Sequence, residues 1–205
     1  MTATHIKFAA LVLAGGQSSR MGTNKALLQA YPDGPTLIEI VIEKVREAGA
    51  QEVFIVANMR EPYDFLGSPI VEDAIKDIGP LGGILGGLRA STCEQNLVVA
   101  CDMPNINPAV IRKMTWLIGK YDVVVPRWVD SAGAVHVEPL HAFYSQASLS
   151  KLEACIVAGV FAPLACLPSL HTRYMEDAEL APFENLASIF RNMNRPEDWV
   201  SSSNE

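Results

Sequence analysis

Phe8-Ala-Ala-Leu-Val-Leu-Ala-Gly-Gly-Gln-Ser-Ser-Arg-Met-Gly-Thr-Asn-Lys25 is the stretch that decides the fold. An unbroken apolar run ends on Gly15 and Gly16, the pattern of a strand buried on both faces of a parallel sheet. Paired glycines let a backbone approach a ligand closely and aim successive amides at an oxyanion. Ser18 adds a hydroxyl, and Arg20 and Lys25 add positive charge. The stretch reads as a strand feeding a phosphate-holding loop. It is not a P-loop, because Ala26 follows Lys25 where a magnesium-binding hydroxyl would stand. Nor do glycines at 15, 16 and 22 give the dinucleotide-binding fingerprint.

Outward from this loop, strand and helix signals alternate. Thr36 with Glu39 makes a capping box and Gly49 a stop, which predicts a helix over residues 36–48. Further strands are expected at Val53 to Ala57, Ile70-Val71, Leu97 to Ala100, Asp122 to Pro126 and Leu140 to Tyr144. Helices are expected at 81–91, at 108–118 behind Asn107-Pro108, and at 146–158, with a strand-like Ile189-Phe190 near the end. This alternation predicts an α/β fold: a single three-layer, doubly wound, Rossmann-like domain with a mostly parallel central sheet over residues 1–200, then a polar tail at 201–205.

The chain has 205 residues, enough for one full core, with 49% hydrophobic and 19% charged residues. A net charge of −7 argues against nucleic acid as a partner. Local charge favours a phosphate ligand all the same, because two of the three Lys or Arg residues before Lys44 are Arg20 and Lys25. No apolar run approaches the ~20 residues needed to span a bilayer. The run from Phe8 to Ala14 is at the lower limit for a signal peptide. Cys93, Cys101, Cys155 and Cys166 show neither Cys-x-x-Cys nor zinc-like spacing, as expected of reduced thiols in a cytoplasmic protein.

The loop resembles the signature of the molybdenum cofactor guanylyltransferases, within the wider group of nucleotidyltransferases of the nucleotide-diphosphate-sugar transferase type. Leu13, Ala14, Gly15, Gly16, Ser18, Arg20, Met21, Gly22 and Lys25 carry the likeness. Asn24 departs from it, since the family usually has Asp there. Cys101-Asp102-Met103-Pro104 resembles the family's aspartate motif, which implies Asp102 as ligand of Mg2+. Asp73 resembles the aspartate assigned to the nucleoside, and a carboxylate can accept from both N1-H and the N2 amino group of guanine. Asn58 is a weaker candidate at the end of the second strand, the family's guanine-contacting position falling nearer Val56. Gly79-Pro-Leu-Gly-Gly83 resembles a family loop, and a tight turn before a helix explains the same residues equally well. Pro139-Leu140 and Asn192-Met-Asn194 match patterns found near the acceptor side. His141, alone in an apolar strand, reads as a packed residue rather than a general base.

The resemblance implies transfer of GMP from GTP to molybdenum-bound molybdopterin with release of pyrophosphate. Arg20 and Lys25 would be catalytic. Leu13, Ala14, Gly15, Gly16, Ser18, Lys25, Asn58, Asp73 and Asp102 would hold GTP. Transient partners would be other molybdenum-cofactor biosynthesis proteins or molybdoenzymes. Three alternatives stay open: cytidylyl transfer to the same pterin, which Gly15-Gly16 disfavours; nucleotidyl transfer to a sugar or alditol phosphate; and a non-catalytic nucleotide-binding partner, suggested by Asn24.

Overall fold

The computed structural model describes residues 6–15 and 24–193. Strand β1 (Phe8–Leu13) lies inside an eight-stranded sheet and is buried throughout. Phe8, Ala10 and Val12 join one core layer while Leu11 and Leu13 join the other. Its all-apolar sequence follows from burial on both faces.

Helix α1 (Leu37–Glu47) starts at Thr36, whose hydroxyl accepts from the Glu39 amide while the Glu39 carboxylate accepts from the Thr36 amide at 2.8 Å. Ile38, Val41, Ile42 and Val45 lie at helical spacing and bury one stripe against the sheet. Strands β2 (Glu52–Val56) and β3 (Ile70–Val71) pair in parallel on one side of β1. Helix α2 (Pro80–Ala90) crosses the opposite face through Leu81, Ile84, Leu85 and Leu88. Strand β4 (Gln95–Ala100) then pairs in parallel with β1 on its other side. The chain thus reverses direction across the sheet between β1 and β4, and in open α/β sheets ligands bind in the crevice at such a switch point.

Helix α3 (Pro108–Thr115) is capped by the Asn107 side chain, which accepts from the Ala109 amide at 2.8 Å. The expected helix to residue 118 stops earlier. The Trp116 and Leu117 amides bond carbonyls only three residues back, tightening and ending it. Strand β5 (Val123–Val129) forms a hairpin with β6 (Val135–Val137), and β7 (His141–Ser145) inserts antiparallel between β4 and β5. Because β7 runs backwards, its start, with Leu140, lies beside the carboxyl end of β4, where the Ala100 amide bonds the Leu140 carbonyl. Helix α4 (Leu149–Val157), after a 3-10 turn at Gln146–Ser148, joins α2 on its face of the sheet. Helix α5 (Pro163–Cys166) leads to β8 (Thr172–Met175), parallel to β5.

Short helices α6 (Asp177–Leu180) and α7 (Leu186–Ile189) follow. The strand expected at Ile189-Phe190 is therefore incorrect: Leu186, Ile189 and Phe190 are spaced as one face of a helical turn, and all three pack on the first core layer. Helices cover both faces of a mostly parallel sheet, so the domain is a three-layer α/β fold. No helix among the described residues is long and apolar enough to cross a membrane. The cysteines are unpaired, and three of the four are buried.

Candidate functional site

The carboxyl ends of β1, β2 and β4 open into a cleft of about 560 Å³. Seven of the nine residues expected to hold GTP line it: Leu13, Ala14, Gly15, Lys25, Asn58, Asp73 and Asp102. Gly16, Ser18 and Arg20 lie outside the described residues. The Ala14 amide donates to the Val56 carbonyl at 2.9 Å, and the Cys101 amide donates to the Leu13 carbonyl at 3.0 Å. These bonds extend the β1 ladder to the threshold of the glycine pair.

Asn58 and Asp73 form a reciprocal pair. The Asn58 amide nitrogen donates to Asp73 Oδ2 at 2.7 Å, and the Asp73 backbone amide returns a bond to Asn58 Oδ1 at 3.1 Å. Asn58 thus orients the carboxylate. The other oxygen, Oδ1, sits 3.1 Å from where a Cβ on Gly83 would be and 3.8 Å from one on Gly15. Asp73 therefore stands between the first loop and the start of α2. Burial pushes its carboxyl above the ordinary range, against the lowering effects of Asn58 and then Lys76. Val56 turns its side chain into the core layer shared with α2, so that position offers an apolar surface rather than a hydrogen bond.

Glycines make this packing possible. A Cβ on Gly82 would lie 2.1 Å from the Ile75 carbonyl oxygen, and one on Gly86 would lie 2.2 Å from that of Glu72. The Ala74 amide bonds the Gly82 carbonyl at 2.9 Å. Gly82, Gly83 and Gly86 bring α2 against the segment carrying Asp73. The Gly79 loop is a turn, with Gly79 at φ 81°, and it also lines the cleft.

Asp102 sits just past β4, half-buried, with Lys25 on the same cleft. Burial raises its pKa; its own backbone amide and the Lys25 ammonium pull the other way. Among the described residues no group of three or more His, Cys, Asp or Glu could hold a metal ion. Asp102 offers a hard, partly desolvated oxygen, which fits a divalent cation that takes its remaining ligands from phosphates and water.

The far wall carries Leu140 and Asn192. Asn192 is placed there because the next amide, of Met193, donates to the Asp102 carbonyl at 2.7 Å, and the Met193 side chain is buried with Ala30 and Leu37. His141 is wholly buried, with neither ring nitrogen hydrogen-bonded, and meets Phe190 edge-on at 5.2 Å. Burial lowers its pKa to about 4, and it has no access to the cleft as a base.

Sequence reasoning missed Tyr63. It is 2% exposed and lines the cleft, and its hydroxyl touches both Ala14 and Asn24. A lone tyrosine between Pro62 and Asp64, in a stretch without periodicity, gave no signal of this contact.

Residues 10–196 match the model of the MobA-like NTP transferase domain. The molybdenum cofactor guanylyltransferase of Syntrophotalea carbinolica is 32% identical over 194 residues, covering 93% of this chain and 88% of that one. The crystal structure of molybdopterin-guanine dinucleotide biosynthesis protein A from Archaeoglobus fulgidus superposes with a TM-score of 0.74 at 26% identity, covering 95% and 96% of the two chains. A 2-C-methyl-D-erythritol 4-phosphate cytidylyltransferase from Thermus thermophilus, 16% identical with a TM-score of 0.68 over 96% of each chain, shares the fold.

Proposed function

We propose, on the premise that this chain belongs to the MobA-like NTP transferase family, that it transfers GMP from GTP to the terminal phosphate of molybdenum-bound molybdopterin. The observation that carries the reading is the meeting of Ala14, Gly15, Lys25, Asp73 and Asp102 around one cleft at the switch point of the sheet. Relatives named as guanylyltransferases supply the nucleotide and the acceptor.

An oxygen of the acceptor phosphate attacks the α-phosphorus of GTP. The bond to the β-phosphate oxygen breaks, and its electron pair leaves with pyrophosphate. The acceptor is already an anion, so the cleft needs no strong base; its tasks are positioning and charge neutralisation. Lys25 meets charge accumulating on the α-phosphate and the departing pyrophosphate, assisted by Arg20. The amides around Ala14 to Gly16, with Ser18, cradle phosphate oxygens. Asp73, steadied by Asn58, accepts from the guanine edge. A magnesium ion accompanying the triphosphate would use Asp102 as its protein ligand and would screen phosphate charge during transfer. Molybdenum-cofactor biosynthesis proteins and molybdoenzymes are the transient partners this chemistry calls for.

Lys25→Ala tests the assignment. The variant should melt like the parent yet lose dinucleotide formation by about 10²-fold or more, the scale seen when a preorganised charge at a transition state is removed. Turnover near that of the parent would overturn the role given to Lys25.

A further inference from the structure

Tyr63 holds together two parts of the cleft that are ten positions apart in the chain. Its hydroxyl donates to the Ala14 carbonyl at 3.0 Å, at the end of β1. The same oxygen accepts from the Asn24 side-chain nitrogen at 3.0 Å. Asn24 Oδ1 in turn accepts from the Ala26 amide at 3.2 Å, capping the short 3-10 turn Lys25–Leu27. The Tyr63 amide bonds the Arg60 carbonyl at 2.8 Å, and the Leu66 amide bonds the Tyr63 carbonyl at 3.0 Å, so the ring rises from a fixed turn. Burial raises the pKa of the phenol, which keeps its proton in place.

We infer that Tyr63 is a positioning residue for nucleotidyl transfer: its hydroxyl fixes the turn carrying Lys25 against the β1 end carrying Ala14 and Gly15, and Asn24 is the residue matched to it. A phenol has a single hydrogen to donate, and two acceptors lie within its reach, the Ala14 carbonyl at 3.0 Å and Asn24 Oδ1 at 3.2 Å. For both links to hold at once, residue 24 must present a donor to the phenol oxygen while keeping an acceptor for the Ala26 amide. An asparagine amide does both. A carboxylate can only accept, so an aspartate at 24 could bond the phenol only by taking its hydrogen from the Ala14 carbonyl, and one of the two links would be lost, whereas the Asn24 nitrogen donates to the phenol oxygen and leaves the hydrogen free for Ala14. The Asn24 departure is thereby part of a working hydrogen-bond chain rather than a mark of lost activity.

This inference rests on the transfer reading above, and the experiment separates the two. Tyr63→Phe, Asn24→Asp and the double variant are compared with the parent in three measurements: kcat and KM for GTP in dinucleotide formation, GTP affinity by calorimetry, and thermal melting. Each single variant should lose about 10-fold in kcat/KM, the scale of a small misplacement of a catalytic group, with melting temperatures within a few degrees. The double variant should resemble Tyr63→Phe alone, because without the phenol there is no proton to contest. Independent losses that multiply to about 100-fold would overturn the inference. So would a Tyr63→Phe variant whose only defect is melting temperature. If the parent forms no dinucleotide, the transfer reading fails, and the same non-additive pattern in GTP affinity then supports or refutes the Tyr63 assignment alone.

Discussion

Replacing Gly86 with alanine puts a Cβ 2.2 Å from the Glu72 carbonyl oxygen and 3.0 Å from the Ala74 nitrogen. Carbon and oxygen do not sustain a contact below about 3 Å, so the helix and the 72–74 segment must part by about 1 Å. The obstacle is backbone, which cannot rotate away. Overpacking of this kind costs about 1–3 kcal/mol, and alanine returns about 1 kcal/mol through helix propensity. A net loss of about 0–2 kcal/mol lowers the melting temperature by no more than about 8 °C in a chain of this length. Function should suffer far more. Asp73 lies in the displaced segment, and its 2.7 Å bond from Asn58 constrains where the carboxylate can go. A misplacement of about 1 Å can cost about 10² in rate. The assay pairs a thermal melt with GTP titration and steady-state turnover. Gly87→Ala is the control, since the atoms nearest its Cβ belong to the Leu11 side chain, the first at 2.7 Å, rather than to the 72–74 backbone. It should lower stability while GTP affinity holds. A Gly86→Ala protein that binds and turns over GTP like the parent would refute the claim that α2 sets the position of Asp73.

Asp102→Asn should abolish transfer and raise the melting temperature of the nucleotide-free protein. Burial raises the Asp102 pKa above its unfolded value, so ionisation costs the fold stability as pH climbs from the unfolded through the folded pKa; the variant removes that cost, and the gain should vanish in acid. A melt at neutral pH with no gain would contradict the assigned burial. Asp122→Ala should behave oppositely. Asp122 Oδ2 accepts from Lys151 Nζ and the His171 amide, each at 2.6 Å, at the start of β5 and away from the cleft. Its loss should cost about 1–3 kcal/mol with unchanged GTP affinity. Burial alone would raise its pKa, yet these partners together hold it below the ordinary value. The difference from the parent should therefore shrink as pH falls from that ordinary value through the lower folded one, which melts across a pH series would measure.

The parts of this molecule legible in the sequence are those set by local chemistry. The β1 run, the Thr36–Glu39 box and the Asn107-Pro108 start each carry their signal within a few residues. Leu13, Ala14, Gly15, Asn58, Asp73 and Asp102 could be placed on one cleft because each ends or follows a strand, and parallel strands share one carboxyl edge. What stayed hidden depends on distant partners. Thr172-Arg-Tyr-Met175 is too polar to announce β8, which exists because β5 offers it an edge. The reversed direction of β7 is a matter of pairing rather than composition. Leu140, which the sequence marked only through a family pattern, reaches the cleft through that reversal, and Tyr63, unmarked, through a contact with residues 49 and 39 positions away.

The most direct test offers the protein molybdopterin cofactor with magnesium and an equimolar mixture of GTP and CTP, then identifies the dinucleotide and quantifies pyrophosphate. The guanine dinucleotide should form, with one pyrophosphate released for each. Formation of the cytosine dinucleotide would contradict the role given to Asp73, and GTP binding without any pyrophosphate would contradict transfer itself.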